Sequence, residues 1–374
     1  MWLTCVQEPA TSTGVTMSIR PLLAGLAVMS LVLWRTPAEA TVLNVGAGQT
    51  YGTIADAVAA ASAGDTIDVH AGTYTDQSAI INVPLTIQGV GGMPVFTATT
   101  DIGNGKGFLV INASTTIGNI EFRNAQVADG NGAGIRYQAG NLTVLNSSFI
   151  GNQDGILATP TVKGTGSLLV NNSMFQNNGA ASGSESGFDH ALYATQLASV
   201  TVENSNFQGT QVGHDIKSRA ANTVVTGNTL DDGVTGTTSY AIDVSNGGIA
   251  TITGNTITQG PNTRNRRMIA YAAEGLIYAD NALDVSGNTF LNSVPDGAIG
   301  VANFATGVVA QVFCNAFDNL PTPVSGSANL QNNVVNGPLP PCAVPEPSSL
   351  ALLVPAAATL LARRRRRVVW QPRR

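Results

Sequence analysis

The sequence predicts an all-β fold, a single right-handed parallel β-helix with a short N-terminal capping helix. Three observations lead to this prediction: a unit that repeats eight times, short β-branched runs bounded by Asn and Gly, and one helical pattern near the start. The composition agrees, because 11% charged residues and 41 Gly fit tightly turned β structure. A hydrophobic content of 43% argues against disorder.

The repeat unit is a Val or Ile, a central Asn or Gly, and a larger apolar residue five positions after the first. The eight units end at Phe122, Phe149, Phe175, Phe207, Leu230, Ile257, Phe290 and Phe317. The 195 residues over seven intervals give about 28 residues per repeat, a solenoid period. Asn and Gly tolerate the left-handed backbone of sharp corners, and stacked Asn side chains can form a hydrogen-bonded ladder. Leu periodicity and amphipathic helices are missing, which disfavours leucine-rich and helical solenoids.

Residues 50–61 carry the one helical pattern, with Ile54, Val58 and Ala61 on a shared face. Short β-type runs follow at 64–69, 71–74 and 85–87. This block resembles the N-terminal cap and first coils of pectate-lyase-like β-helix proteins. The resemblance implies that the helix covers the open end of the core, where an uncovered coil would leave an unpaired sheet edge.

The N-terminal segment has the pattern of a secretory signal peptide. Arg20 precedes an apolar run at 22–34, and Ala38-Glu39-Ala40 ends the pattern. We expect a signal peptide over 17–40, with Met17 as the start and residues 1–16 as an extension before it. A membrane anchor is the alternative, but the apolar run is short for a span.

The C-terminal segment 343–374 contains Pro345-Glu346-Pro347, an apolar stretch at 350–362 and five arginines at 363–367. This order resembles the PEP-CTERM sorting signal of bacteria, which an exosortase recognises and removes. The resemblance implies exosortase as a partner during sorting. It also implies a location at the cell surface or in the extracellular matrix of a Gram-negative bacterium. We expect a mature β-helix over 41–342 that does not span the membrane.

The charge of the mature part indicates which classes of ligand it can bind. Residues 41–342 carry nine Lys and Arg against 20 Asp and Glu, a net charge of −11 that disfavours nucleic acid. Five of the nine cations lie between Lys217 and Arg267, where they would attract an anionic ligand.

Cys314 and Cys342 either form a disulfide in an exported protein or remain free thiols, and their spacing leaves both possibilities open.

A second strand follows most repeat units, with a central Ile or Leu that points into the core. Stacking coils about 4.8 Å apart then aligns outward neighbours in a column. The predicted column contains Arg136, Leu157, Tyr193, Lys217 and Asp243. If 213–220 is a strand, alternation places Asp215 and Arg219 beside Lys217 on an exposed face.

The segments around this column also resemble a family of bacterial secreted β-helix repeat proteins. The resemblance spans about 41–320 and rests on His190 and on the motifs at 213–220, 239–243, 246–248, 259–261 and 271–275. It implies the fold and marks this face as the site. It implies no reaction.

The functional hypothesis is a cleft for acidic polysaccharide. In β-helix lyases a Lys or Arg removes the proton next to a uronate carboxylate, and a cation neutralises that carboxylate. Here Lys217 would be the base, Arg219 the carboxylate clamp and Tyr193 the acid. Asp243, beside Lys217 in the predicted column, is expected to be the fourth catalytic residue. No cofactor is required, although Asp215 and Asp243 can bind Ca²⁺ if they are not paired with Lys217.

Further residues are expected to bind substrate or to wall the cleft. The expected binding residues are Arg136, His190, His214, Asp215, Arg264 and Glu274. The long segments 179–188 and 259–267 are expected to form the walls. Two histidines without a third ligand make a poor zinc site, so His190 and His214 are otherwise hydrogen-bonded corner residues.

Two alternative functions are compatible with the same residues. A glycoside hydrolase would use Asp215 and Asp243, provided that their carboxyl groups stand about 5–9 Å apart. A non-catalytic structural protein of a biofilm matrix would carry the same column as a self-paired, solvated face.

Overall fold

The computed structural model describes residues 39–179, 189–294 and 297–342. Over these residues the chain winds into the predicted right-handed parallel β-helix, in which strands of successive coils pair in parallel. Three sheets run along the solenoid, and a typical coil gives one strand to each. The all-β prediction is therefore confirmed.

The three sheets are named here by their order along a coil, and their strands are numbered along the chain. Sheet 1 has twelve strands within the described residues: β1 (Val42–Val45), β2 (Thr66–His70), β5 (Leu85–Val90), β8 (Thr115–Gly118), β11 (Leu142–Leu145), β14 (Ser167–Asn171), β17 (Ser199–Glu203), β20 (Asn222–Thr226), β23 (Ile249–Thr253), β26 (Ala282–Ser286), β29 (Ala310–Phe313) and β32 (Ala328–Gln331). Sheet 2 has eleven in the same ranges: β3 (Thr73–Thr75), β6 (Val95–Thr97), β9 (Glu121–Arg123), β12 (Ser148–Ile150), β15 (Met174–Gln176), β18 (Asn206–Gln208), β21 (Thr229–Asp231), β24 (Thr256–Gln259), β27 (Thr289–Asn292), β30 (Ala316–Asp318) and β33 (Val334–Val335). Sheet 3 has ten in the described chain: β4 (Ala79–Ile81), β7 (Gly107–Ile111), β10 (Ala133–Tyr137), β13 (Asp154–Ala158), β16 (Leu192–Ala194), β19 (Ile216–Ser218), β22 (Ile242–Val244), β25 (Arg267–Tyr271), β28 (Ile299–Asn303) and β31 (Thr322–Ser325).

The last residue of each repeat unit packs into a buried stack inside the solenoid. Neighbouring rings lie at about the coil spacing, with centroids 4.7 Å apart for Phe149 and Phe175 and 4.5 Å apart for Phe175 and Phe207. Leu230 continues the stack after Phe207, with which it is in register, and phenylalanine rings stack again at Phe290 and Phe317. The predicted repeat thus forms the core, and each buried ring contributes about 2–3 kcal/mol by leaving water.

An asparagine ladder follows one corner of the later coils, as predicted. Asn255 Oδ1 accepts hydrogen bonds from the backbone N and the Nδ2 of Asn228, at 2.9 and 3.0 Å. Asn288 and Asn315 repeat this pattern in the next coils. In the earlier coils serines take the position; for example, Ser147 donates its backbone N–H to Ser173 Oγ. The ladder therefore fixes the coil-to-coil register at this corner.

The predicted helical segment forms helix α1 (Ile54–Ala60), shorter than the 50–61 pattern. Thr53 caps its N-terminus by accepting a hydrogen bond from the backbone N of Asp56 at 3.1 Å. Ile54 and Ala57 are buried, and the helix contacts β1, β2 and β4. It therefore covers the first coil, as the resemblance implied.

Cys314 and Cys342 form a disulfide whose Cα atoms are 5.8 Å apart. This is one of the two alternatives that the sequence left open, and it ties the end of the described chain to the last coils. No helix within the described ranges is long and apolar enough to cross a bilayer. The predicted signal peptide up to residue 38 and the sorting signal 343–374 lie outside the described residues.

Candidate functional site

The predicted outward column is present in sheet 3. Its members pair in register from strand to strand: Arg136 with Leu157, Leu157 with Tyr193, Tyr193 with Lys217, and Lys217 with Asp243. The cause is local, because each short strand places an apolar residue such as Ile216 in the core. Its neighbours along the strand must then point outward.

The face around Lys217 is far less exposed than the sequence predicted. Asp243 is 2% exposed and the Lys217 side chain 12%, whereas the Arg219 side chain keeps 30% of its surface. The column is therefore partly buried by neighbouring segments, and charges there interact more strongly than on an open sheet.

The prediction that Asp215 stands on the same exposed face is wrong. Asp215 precedes the three-residue strand β19, so strand alternation does not extend to it, and only 2% of its surface is exposed. Burial raises the pKa of the Asp215 carboxyl well above its usual value, and the nearby carboxylates of Asp232 and Asp231 raise it further. Asp215 thus belongs to a buried acidic pair with Asp232.

Glu274 joins the two cations of the site. Its Oε1 lies 3.0 Å from Lys217 Nζ and its Oε2 lies 2.5 Å from Arg219 Nη2. Sequence reasoning placed Glu274 near the groove but missed this pairing, because 57 residues separate it from Lys217. The carboxylate thus spans an ammonium and a guanidinium that the sequence had left free for a ligand.

Asp243 contacts Lys217 from the inner side. Its Oδ2 lies 3.5 Å from Lys217 Nζ, 3.4 Å from His214 Nε2 and 2.7 Å from the Ser245 hydroxyl, which donates to it. Burial raises the pKa of the Asp243 carboxyl, and the Lys217 ammonium opposes that shift. Asp243 is therefore positioned to hold Lys217 in place.

His190 and His214 stack in successive coils with ring centroids 4.8 Å apart. Each Nδ1 accepts a backbone hydrogen bond at 3.0 Å, from His214 for His190 and from Tyr240 for His214. Burial lowers the pKa of His214 to about 3 and the pKa of His190 well below its usual value, so both rings are neutral near pH 7. This geometry is that of hydrogen-bonded corner residues.

Tyr193 provides an aromatic surface for both cations. Lys217 Nζ lies 5.6 Å and Arg219 Cζ 5.7 Å from the ring centroid, within the range of cation–π attraction. Burial raises the pKa of the Tyr193 hydroxyl, which therefore keeps its proton near neutral pH. One ring and two cations thus meet on adjacent coils.

The structure does not gather every predicted binding residue around Lys217. Arg136 lies three coils away in register, where the carboxylate of Asp154 attracts it and burial lowers its pKa. Arg264 is exposed on the predicted wall 259–267, whose backbone is held by a 3.0 Å hydrogen bond to Thr238. Of the other predicted wall, only residue 179 lies within the described residues.

Within the described ranges no group of three or more His, Cys, Asp or Glu side chains is arranged to hold a metal ion. The two carboxylates suggested for calcium have different surroundings, since Asp215 faces Asp232 whereas Asp243 faces Lys217 and His214.

Comparisons with known proteins support the architecture. No protein-family model and no curated protein matches the chain. Among solved structures, an alginate lyase from Paenibacillus sp. str. FPU-7 is similar, with a TM-score of 0.56 and 17% identity over 79% of this chain and 99% of that one. The surface adhesin PfbA of Streptococcus pneumoniae matches with a TM-score of 0.44 and 14% identity, over 76% of this chain and 86% of that one. A PL6 family alginate lyase matches with a TM-score of 0.44 and 15% identity, over 79% of this chain and 40% of that one.

The similarity to the Paenibacillus alginate lyase, at 17% identity, supports the fold alone. Fold and site together define a parallel β-helix that carries a partly buried cluster of Tyr193, Lys217 and Arg219 along sheet 3. What the cluster does has to be argued from its own chemistry.

Proposed function

We propose that the protein binds acidic polysaccharide at Tyr193, Lys217 and Arg219. The observation that carries the proposal is the bridge made by Glu274, because it shows that Lys217 and Arg219 are spaced to hold one carboxylate between them. A uronate residue presents the same carboxylate on a sugar ring, and the apolar face of that ring can pack on Tyr193. A planar guanidinium such as that of Arg219 commonly binds a carboxylate.

We further propose that bound polymer is processed by β-elimination. Lys217 Nζ takes the proton next to the uronate carboxylate, which Arg219 holds, and the electron pair forms a carbon–carbon double bond. The glycosidic carbon–oxygen bond breaks, and Tyr193 gives its proton to the leaving oxygen. Lys217 acts as the base in its neutral amine form, so its ammonium first gives a proton to solvent and its ion pairs with Glu274 and Asp243 are lost in that step.

The non-catalytic alternative is a structural surface or matrix protein. It is favoured by one observation, namely that both cations already have a carboxylate partner inside the protein. The hydrolase alternative is disfavoured, because Asp215 and Asp243 are each 2% exposed and have different partners. The same difference disfavours one calcium ion shared by these two residues.

Export is also part of the proposal. It is supported by the signal-peptide pattern at 17–40 and the PEP-CTERM-like pattern at 343–374. We expect the protein at the surface of a Gram-negative bacterium or in its extracellular matrix, after an exosortase has acted. Mass spectrometry of protein recovered from the surface fraction would show both new ends; intact ends there contradict this proposal.

The binding and lyase proposals are separated by two assays on the same samples. Affinity electrophoresis in gels that contain alginate or polygalacturonate reports binding, and ultraviolet absorbance of the new double bond reports elimination. We expect Lys217→Ala to remove both signals, while Lys163→Ala, which removes an exposed lysine elsewhere, preserves them. If the protein is retarded in the polysaccharide gels but produces no new absorbance, with or without Ca²⁺, it binds the polymer without cleaving it. The absence of both signals for wild-type protein would favour the structural alternative.

A further inference from the structure

Glu274 neutralises the part of the site that a ligand has to reach. Its carboxylate contacts Lys217 on one oxygen and Arg219 on the other, and its side chain is 38% exposed. Asp243 supplies the second carboxylate against Lys217 but is 2% exposed. The outer carboxylate, that of Glu274, is therefore in contact with solvent. The inner carboxylate, that of Asp243, is buried.

The backbone that carries Glu274 is firmly held. Its N–H donates to Ser245 O at 2.9 Å, and its carbonyl accepts from Asn246 Nδ2 at 3.4 Å. The hydroxyl of Tyr278, four residues later, donates to Arg219 O at 2.5 Å. The turn therefore stays docked on the preceding coils, and exchange of the carboxylate requires only that the Glu274 side chain rotate toward solvent.

We propose that Glu274 is an internal ligand that occupies the position of a substrate carboxylate and is replaced by it on binding. This inference rests on the proposed function and specifies its substrate class as polymers with free uronate carboxylates. A free carboxylate can take over both ion pairs that Glu274 gives up. A methyl ester or a neutral sugar cannot, so its binding would leave Lys217 and Arg219 without their partner at a cost that excludes it.

The test compares the binding of polygalacturonate and fully methyl-esterified polygalacturonate by wild type, Glu274→Gln, Glu274→Ala and Asp280→Asn. Asp280 is exposed on the same turn, so its variant removes the same charge without touching the two cations. We expect both Glu274 variants to bind the free acid about fivefold more tightly than wild type, since they lose a competing surface ion pair. Asp280→Asn should change binding by less than about twofold, from long-range charge alone.

Each outcome has a defined meaning. Tighter binding of the free acid by the Glu274 variants supports the inference, even if wild-type binding is too weak to detect. Unchanged or weaker binding by both variants, with wild type binding, overturns the inference and leaves the proposed function standing. Equal binding of the ester and the acid by wild type also overturns it. If neither wild type nor any variant binds polygalacturonate, and the variants unfold thermally at the same temperature as wild type, the proposed function and the inference are both overturned.

Discussion

Lys217 and Asp243 occupy the same register position on adjacent strands, and their Nζ and Oδ2 atoms lie 3.5 Å apart. The buried Asp243 and the half-exposed Glu274 therefore contact one ammonium from opposite environments. The inner contact anchors the Lys217 ammonium in the ligand-free protein. The outer contact is the one that a ligand can change.

The two parts of Tyr193 can be separated by substitution. Tyr193→Phe keeps the ring that faces Lys217 and Arg219, so we expect polymer affinity within about twofold of wild type. It removes the proton donor, so elimination should fall by about 10²-fold or more. Steady-state absorbance assays beside affinity electrophoresis measure both effects. Full elimination activity in Tyr193→Phe would assign the acid to another group.

Asp215 makes stability depend on pH in a direction that can be derived. Its pKa is raised in the folded protein, so its contribution to stability is complete below the unfolded value and is lost as pH rises through the folded value. Between those two values we expect a single such group to lower the free energy of unfolding by about 1.4 kcal/mol per pH unit. Asp215→Asn should flatten this slope in urea titrations carried out at increasing pH above the ordinary aspartate value of 3.8. A slope equal to that of wild type would show that Asp215 does not control it.

The asparagine ladder should be sensitive to a single break. Asn255→Ala removes the acceptor for two donors of Asn228 and leaves those groups buried. We expect the free energy of unfolding to fall by about 2–4 kcal/mol. The exposed Asn222 is the matched control, because its side chain makes one surface hydrogen bond, and Asn222→Ala should cost less than about 1 kcal/mol. If urea unfolding shows the same loss of free energy for Asn255→Ala and Asn222→Ala, the ladder contributes no more to stability than a surface hydrogen bond.

The aromatic stack should tolerate an aliphatic replacement but not a cavity. Phe207 is fully buried and in register with Leu230, so the next coil already accommodates Leu at this position. Phe207→Leu should destabilise by about 1 kcal/mol and Phe207→Ala by about 3–5 kcal/mol. Chemical denaturation measures both, and a similar loss for the two variants would contradict packing as the cause.

The sequence was sufficient for the column because its register follows from the repeat. A buried Ile or Leu in register from β10 to β25 sets which neighbours face outward, and the 28-residue period sets their order along the solenoid. Tyr193, Lys217 and Asp243 are therefore aligned as predicted. The core stack and the ladder were predictable for the same reason, since successive coils repeat an apolar residue at one position and Ser or Asn at the other.

The burial of Asp215 and the pairing of Glu274 were not predictable in the same way. Strand β19 is three residues long, so the alternation that was used for Asp215 ends before it. Glu274 lies in a turn that begins at Ala272, whose φ of 57° departs from strand geometry. The turn belongs to one coil only, so the repeat carries no information about where its side chains point.

The candidate site is assembled from four successive turns of the solenoid, because Tyr193, Lys217, Asp243 and Glu274 each come from a different one. Solenoids lengthen and shorten by whole repeats, since each repeat contacts only its neighbours. Gain or loss of one turn between Tyr193 and Glu274 would preserve the stacked core while moving the ring, the cations and the carboxylates out of reach of one another. Repeat number inside this short span is thus under a constraint that stability alone does not impose.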